Sequence, residues 1–183
     1  MSRARRADAR AHSARARKPT AAAGVRLLVL DVDGVLTDGR LYFGPRGELL
    51  KAFHVRDGHG IRALRAAGIE VAVITGRRSK ALEHRCRELG IRHLIQGADD
   101  KRAAFDRLRR RLNVAPHACA CIGDDVPDLP LMRAVGRAYA VADAHPLARR
   151  AAHRSTSIAG GVGAVREVCD ELLAARAARR RTP

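Results

Sequence analysis

The chain is 183 residues long, carries a formal charge of +17, and is 46% apolar but only 3% aromatic, with no tryptophan. That length suits one domain with a sizeable core. So few rings argue against an aromatic-lined cavity, and leave Ala, Leu, Val and Ile to pack helices onto a sheet.

Residues 1–24 hold seven basic side chains and one acidic one in an Ala/Arg-rich run, and residues 174–183 hold four arginines. Both stretches are of low complexity and are expected to be disordered tails, leaving a folded unit over 25–173. More than half of the excess charge therefore sits in the tails. A nucleic-acid or membrane arm would use such charge, but neither tail offers an aromatic residue for base stacking. A solvated extension in an arginine-rich chain is the simpler reading, and nucleic acid is not expected as a partner. The N-terminus lacks the apolar core of a secretory signal, although its basic composition superficially matches an organellar transit peptide. No apolar run approaches a membrane span, so a cytoplasmic protein is expected.

From Val25 onward, apolar runs alternate with helical patterns. "VRLLVL" (25–30), "EVAVIT" (70–75), "RHLIQG" (92–97), "ACACIG" (118–123) and "AYAVA" (138–142) read as strands covered on both faces. Helices are expected at 58–67, 78–89, 100–112, 127–134, 146–151 and about 162–174. This alternation predicts a doubly wound, mostly parallel Rossmann-like α/β sheet. Residues 38–54, "DGRLYFGPRGELLKAFH", break the rhythm and read as a β-hairpin turning at "GPRG". The hairpin gathers Tyr42, Phe43 and Phe53, which suits an interface element or flap. Cys86, Cys119, Cys121 and Cys169 form no C-x-x-C pair and read as small buried residues of a reducing compartment.

In an open α/β sheet, ligands bind beyond the carboxyl ends of the strands. Asp31 and Asp33 follow the first strand; Thr75, Gly76 and Arg77 follow the second. Lys101 opens a helix after the third, and Asp124, Asp125 and Asp128 follow the fourth. Alone, Asp31 and Asp33 could be ordinary turn residues. Together with Thr75, Lys101 and Asp124 they form an inventory for phosphoryl transfer. Oxygen-only ligands favour a hard cation such as Mg²⁺, and no His or Cys pattern supports zinc. Asp31 could attack phosphorus to give an aspartyl-phosphate. Asp33 could protonate the leaving oxygen and later activate water. Thr75 and Lys101 could hold the phosphate oxygens.

"DVDGVLTDG", then "TGR", then a lysine, then "GDDVPD", in this order, resembles the haloacid-dehalogenase (HAD) superfamily of aspartate-nucleophile phosphatases. The resemblance covers about 25–145 and implies Asp31, the backbone carbonyl of Asp33 and Asp124 as metal ligands, with Asp125 and Asp128 supporting the site. Asp31 to Thr75 spans 44 positions and Thr75 to Lys101 only 26, too little for an inserted cap domain. A capless site calls for a neighbouring subunit as its lid, hence a homo-oligomer.

"FHVRDGHGIR" (53–62), "VITGRRSKALEHRC" (73–86), "VADAHP" (141–146) and "AGGVGAVREVCD" (159–170) extend the resemblance to the bacterial 3-deoxy-D-manno-octulosonate 8-phosphate (KDO 8-phosphate) phosphatase family. It implies a Mg²⁺-dependent tetramer that acts on a sugar acid phosphate in lipopolysaccharide synthesis. It also implies substrate contacts by Asp33, His54, Val55, Arg56, Asp57, Gly58, Arg62, Arg77, Arg85, Lys101 and Arg166, with the Gly-rich segment near Arg166 reaching a neighbouring active site. Arginine suits such a substrate, because its planar fork matches both carboxylate and phosphate. His54 stands where Asn is expected and Pro127 follows "GDDV", two departures from the family pattern. The alternatives are a phosphatase of a nine-carbon sialic-type sugar acid phosphate, against which residues 159–170 speak, and an inactive HAD-like assembly or nucleic-acid-associated module, against which the intact carboxylate set speaks.

Overall fold

The computed structural model describes residues 21–181. The basic tail expected over 1–24 therefore lies outside the described residues up to position 20. Residues Ala21–Gly24 form a 3-10 turn that packs on the C-terminal helix, with Ala22 and Ala23 buried, so ordered structure begins before the expected boundary at 25.

Six parallel strands make the sheet: β1 (Leu27–Leu30), β4 (Glu70–Thr75), β5 (His93–Gln96), β6 (Cys119–Gly123), β7 (Arg137–Ala140) and β8 (Arg154–Ser155), in the spatial order β5-β4-β1-β6-β7-β8. β1 is central. Leu27, Leu28, Val29 and Leu30 are all fully buried, which is why this strand reads as an unbroken apolar run. Its register with β6 pairs Leu30 with Ile122, and the Asp31 N–H extends the ladder to the Ile122 carbonyl at 3.2 Å. The chain order runs outward from β1 to β4 and β5, then restarts on the other side at β6. The crevice between β1 and β6 is thus the topological switch point, where such sheets bind ligands.

The hairpin is present as β2 (Tyr42–Gly44) and β3 (Gly47–Leu50), an antiparallel pair separate from the main sheet. The helices are α1 (Val55–Ala66), α2 (Lys80–Leu89), α3 (Lys101–Arg111), the short α4 (Leu129–Met132), α5 (Pro146–Ala151) and α6 (Ala164–Arg180). The Ser79 hydroxyl accepts from Leu82 N at the start of α2, and Asp100 Oδ1 accepts from Ala103 N at the start of α3; both satisfy otherwise orphaned N–H groups. The cap on α3 sets Lys101 as that helix's first residue. α1 lies against α6, with Ile61, Leu64, Val165, Val168 and Leu172 buried.

Two expectations need correction, and one strand was not anticipated. Residues 174–180 are the last turns of α6 rather than a disordered tail, because Leu172, Leu173 and Ala175 pack against the core and carry the helix onward. The helix expected over 127–134 is a 3-10 turn (Val126–Asp128) followed by the single turn of α4, with prolines at the start of each. β8, two residues long, gave too short a pattern to be read. All four cysteines are free and buried.

Candidate active site

A cleft of about 200 Å³ opens at the carboxyl ends of β1, β4 and β6, lined by Asp31, Asp33, Thr75, Gly76, Arg77, Lys101, Asp124, Asp125, Pro127 and Asp128. The four places in the sequence singled out for phosphoryl chemistry therefore meet at one point. Asp31, Thr75, Lys101 and Asp128 are buried polar residues in a mostly apolar interior.

Lys101 sits between two carboxylates, with Nζ 2.8 Å from Asp31 Oδ1 and 2.7 Å from Asp128 Oδ1. The other oxygen of Asp128 accepts the N–H groups of Asp124 (3.0 Å) and Asp125 (3.3 Å). Both Asp128 oxygens are thus engaged, one orienting the lysine and one shaping the turn after β6. Asp125 caps the same turn through Val126 N at 2.7 Å. Among the described residues Asp124 is held by its backbone, including a 2.7 Å bond from His145 N to its carbonyl, and its carboxylate faces Gly34. Gly34 has φ +91°, and a Cβ there would lie 2.6 Å from the Asp124 carboxyl carbon. Glycine is required on both counts.

Oxygens of Asp31, Asp124 and Asp128 lie within 4.8 Å of one another. Burial, then repulsion from Asp128, pushes Asp31 up to about 6 against the pull of Lys101. Burial, then repulsion from Asp31 and Asp128, pushes Asp124 up to about 8. Burial disfavours the Lys101 ammonium too, but the Asp31 and Asp128 carboxylates outweigh it and its pKa is raised. One ammonium does not balance three carboxylates. The surplus negative charge and the all-oxygen donor set fit a hard divalent cation. The Asp33 side chain is not in this carboxylate cluster.

Arg77 and Lys101 are in the cleft, and Thr75 Oγ1 accepts from Arg77 N at 3.3 Å. Asp33, also an expected substrate contact, lines the cleft with them; the remaining ones, His54 to Gly58, Arg62, Arg85 and Arg166, lie outside the residues lining it. Val55 and Arg56 are exposed at the start of α1. Arg62 pairs with Glu88 at 3.1 Å, and Arg85 pairs with Glu88 at 2.8 Å while its guanidinium lies over the Phe53 ring at 5.9 Å. His54 gives its carbonyl to Arg85 at 3.4 Å. Gly58 is buried, and a Cβ there would meet the Arg85 and Leu89 side chains. Asp57 is also buried, and its Oδ1 accepts the Arg166 N–H at 2.8 Å, joining α1 to the first turn of α6; burial raises its pKa despite that bond. The Arg166 guanidinium is turned to Asp170 at 2.8 Å. The Gly-rich segment packs within its own chain, with Gly161 N–H donating to Val35 O at 3.0 Å over the loop that follows Asp33.

The sequence reading missed Lys51 and Glu48. Lys51 Nζ pairs with Asp33 and lies 3.3 Å from Glu48, and Arg77 reaches Asp33 at 3.8 Å. These residues belong to no motif around the strand ends. The one available signal is that "ELLK" places two charges where a hairpin turns back toward the site.

Parallel strands carrying carboxylates at the ends of β1 and β6, with no domain inserted between them and Lys101, define a capless hydrolase of the haloacid dehalogenase-like class. The family model of the haloacid dehalogenase-like hydrolases matches residues 48–136. The 3-deoxy-D-manno-octulosonate 8-phosphate phosphatase of Salmonella typhi is 57% identical over 157 residues, which is 86% of this chain and 84% of that protein. The crystal structure of the Yersinia pestis phosphatase of the same name superposes with a TM-score of 0.84 at 54% identity, covering 88% of this chain and 87% of that one. The Moraxella catarrhalis enzyme, solved with a magnesium ion, a phosphate ion and a KDO molecule, gives 0.83 at 42% identity over 88% and 95% of the two chains. The protein belongs to the 3-deoxy-D-manno-octulosonate 8-phosphate phosphatase family and is a phosphatase.

Proposed function

We propose that this phosphatase hydrolyses KDO 8-phosphate to the free sugar acid and inorganic phosphate, with Mg²⁺, in the cytoplasmic synthesis of a lipopolysaccharide precursor. The observation that carries the reading is the convergence of Asp31, Asp33, Thr75, Lys101 and Asp124 on one cleft. Relatives named for this activity span most of the chain, and one was solved with Mg²⁺, phosphate and KDO.

Asp31, Asp124 and the Asp33 carbonyl would hold the cation, which when bound offsets the negative charge of the carboxylates and the incoming phosphate. An oxygen of Asp31 attacks phosphorus while the bond from phosphorus to the sugar oxygen breaks, and Asp33 gives that oxygen its proton. Water then attacks the aspartyl-phosphate, Asp33 takes the water's proton, and phosphate leaves as Asp31 is regenerated. Lys101, already oriented by Asp128, and Thr75 bind the non-bridging oxygens as charge builds on them.

The hairpin supports an oligomer, in our reading a tetramer: Leu41, Phe43, Leu49 and Leu50 are 45–70% exposed on an element beside the cleft. A neighbouring copy covering them would supply the missing lid. We assign the expected contacts of His54–Gly58, Arg62, Arg85 and Arg166 to that assembled state. The test is phosphate release from a panel of sugar phosphates with and without Mg²⁺. KDO 8-phosphate should be hydrolysed fastest and only with the cation; a better nine-carbon substrate, or turnover in excess chelator, would overturn the assignment.

A further inference from the structure

The hairpin turns Glu48 and Lys51 inward and its apolar side chains outward. Leu49 and Leu50 are exposed, while the Lys51 side chain is only 2% exposed. A buried ammonium is costly unless paired, and this one has two carboxylates, Asp33 through Oδ1 and Glu48 through Oε2 at 3.3 Å. Glu48 also accepts a hydrogen bond from the Ser79 hydroxyl, and the Ser79 N–H donates to Gln96 Oε1 at 2.6 Å. The place of the ammonium is therefore fixed from the start of α2 and the end of β5 as well as from the hairpin.

The two oxygens of Asp33 are not equivalent. Oδ1 is taken by Lys51, whereas Oδ2 is buried without a hydrogen-bond partner, with Arg77 Nε no nearer than 3.8 Å. A lysine needed only to fasten the hairpin could use Glu48 alone. We propose that Lys51 is a positioning residue that, by clamping one oxygen, holds the Asp33 carboxyl in a single orientation at the edge of the cleft, where the leaving group departs. This rests on the reading of Asp33 as acid and base. Held to one rotamer, the carboxyl meets the sugar oxygen without a search, and a misplacement near 1 Å at a reacting group costs about a hundredfold.

Leaving groups separate this role from a structural one. Departure of a sugar alkoxide needs a proton; departure of p-nitrophenolate does not. For both substrates, kcat/KM covers the steps only through leaving-group departure, so the later duty of Asp33 toward water does not enter. Lys51→Met and Lys51→Gln, the second retaining a donor, are compared with wild type and Asp33→Asn in Mg²⁺, normalised to folded fraction by circular dichroism. The expected result is a fall of about a hundredfold in kcat/KM with KDO 8-phosphate and of less than about threefold with p-nitrophenyl phosphate, paralleling Asp33→Asn. Equal losses on both substrates, or none on either, would overturn the inference. Full activity of Asp33→Asn would instead overturn the acid/base reading on which it rests.

Discussion

Replacing Gly160 by alanine tests whether the Gly-rich segment braces the catalytic loop. A Cβ on Gly160 would lie 2.6 Å from the Gly34 carbonyl carbon, closer still to its oxygen, and 3.3 Å from Thr37 O. Ordinary contact begins near 3.4 Å, so one backbone must retreat by at least ~0.8 Å. Neither side has slack. Gly160 N–H is held by Asp143 Oδ1 at 2.9 Å, and the turn over 32–37 is closed by three bonds to Val32 O of 2.9–3.2 Å. The strain passes to Asp33, the neighbour of Gly34. Overpacking of this kind costs about 3 kcal/mol, which in a chain of this size lowers Tm by about 6–12 °C. A shift approaching 1 Å beside the reacting atoms lowers kcat by about 10²-fold. Gly24→Ala is the control, since its nearest neighbour would be Arg179 Nη1 at 3.8 Å. Steady-state phosphate release with Mg²⁺ and thermal unfolding are measured on both variants. A Gly160→Ala protein with wild-type kcat would refute the brace.

Asp31→Asn should abolish phosphate release, because a neutral amide is a poor nucleophile; turnover retained in a colorimetric phosphate assay would exclude the covalent route. Deleting residues 1–20 should leave kcat/KM nearly unchanged, whereas deleting 1–24 also removes the buried Ala22 and Ala23 and should lower Tm, as differential scanning fluorimetry would report. Asp31 and Asp124 titrate near 6 and 8, above the carboxylate value of 3.8, so the folded chain binds more protons than the unfolded one across that window. The metal-free protein should therefore lose stability as pH rises through 6 and 8. Mg²⁺ needs both groups ionised, so its affinity measured by calorimetry should rise over the same interval. An apparent affinity flat from pH 6 to 8 would contradict the raised values.

Elements with strong local signals were legible from sequence. β1, β4 and β6 are buried on both faces and read as continuous apolar runs, and the loops at their ends carry polar residues that an aliphatic core would not otherwise admit. Topology then brought Asp31, Thr75, Lys101 and Asp124 together without further information. Lys51 and Glu48 were not legible, because a hairpin's two-residue period does not say which face meets the site. The hairpin read as an interface element or flap, and Leu49 and Leu50 do face outward, but nothing in that reading says that Glu48 and Lys51 turn toward the cleft. The end of α6 was misjudged for a related reason: "AARAARRR" is low in complexity but rich in good helix formers, and Leu172 and Leu173 anchor it. Of the arginines carried over by resemblance Arg77 lines the cleft, whereas Arg56, Arg62, Arg85 and Arg166 lie away from it, where contacts depend on what docks there.

Charge balance explains why the site pairs Lys101 with Asp128 instead of leaving it to Asp31 alone. In the mechanism proposed above Asp31 keeps electron density for attack on phosphorus, and an ammonium bound to Asp31 alone would neutralise that carboxylate. Sharing the lysine with Asp128, whose second oxygen holds the Asp124 and Asp125 N–H groups, spreads that neutralisation and fixes Nζ within 2.8 Å of Asp31. Once all three are ionised, Asp31, Asp124 and Asp128 leave two negative charges in their cluster with Lys101, before a phosphate dianion adds its own. A monovalent cation would leave the cluster anionic and repel that substrate; a divalent one brings it to neutrality. A hard dication with oxygen ligands is the species this charge count and donor set select.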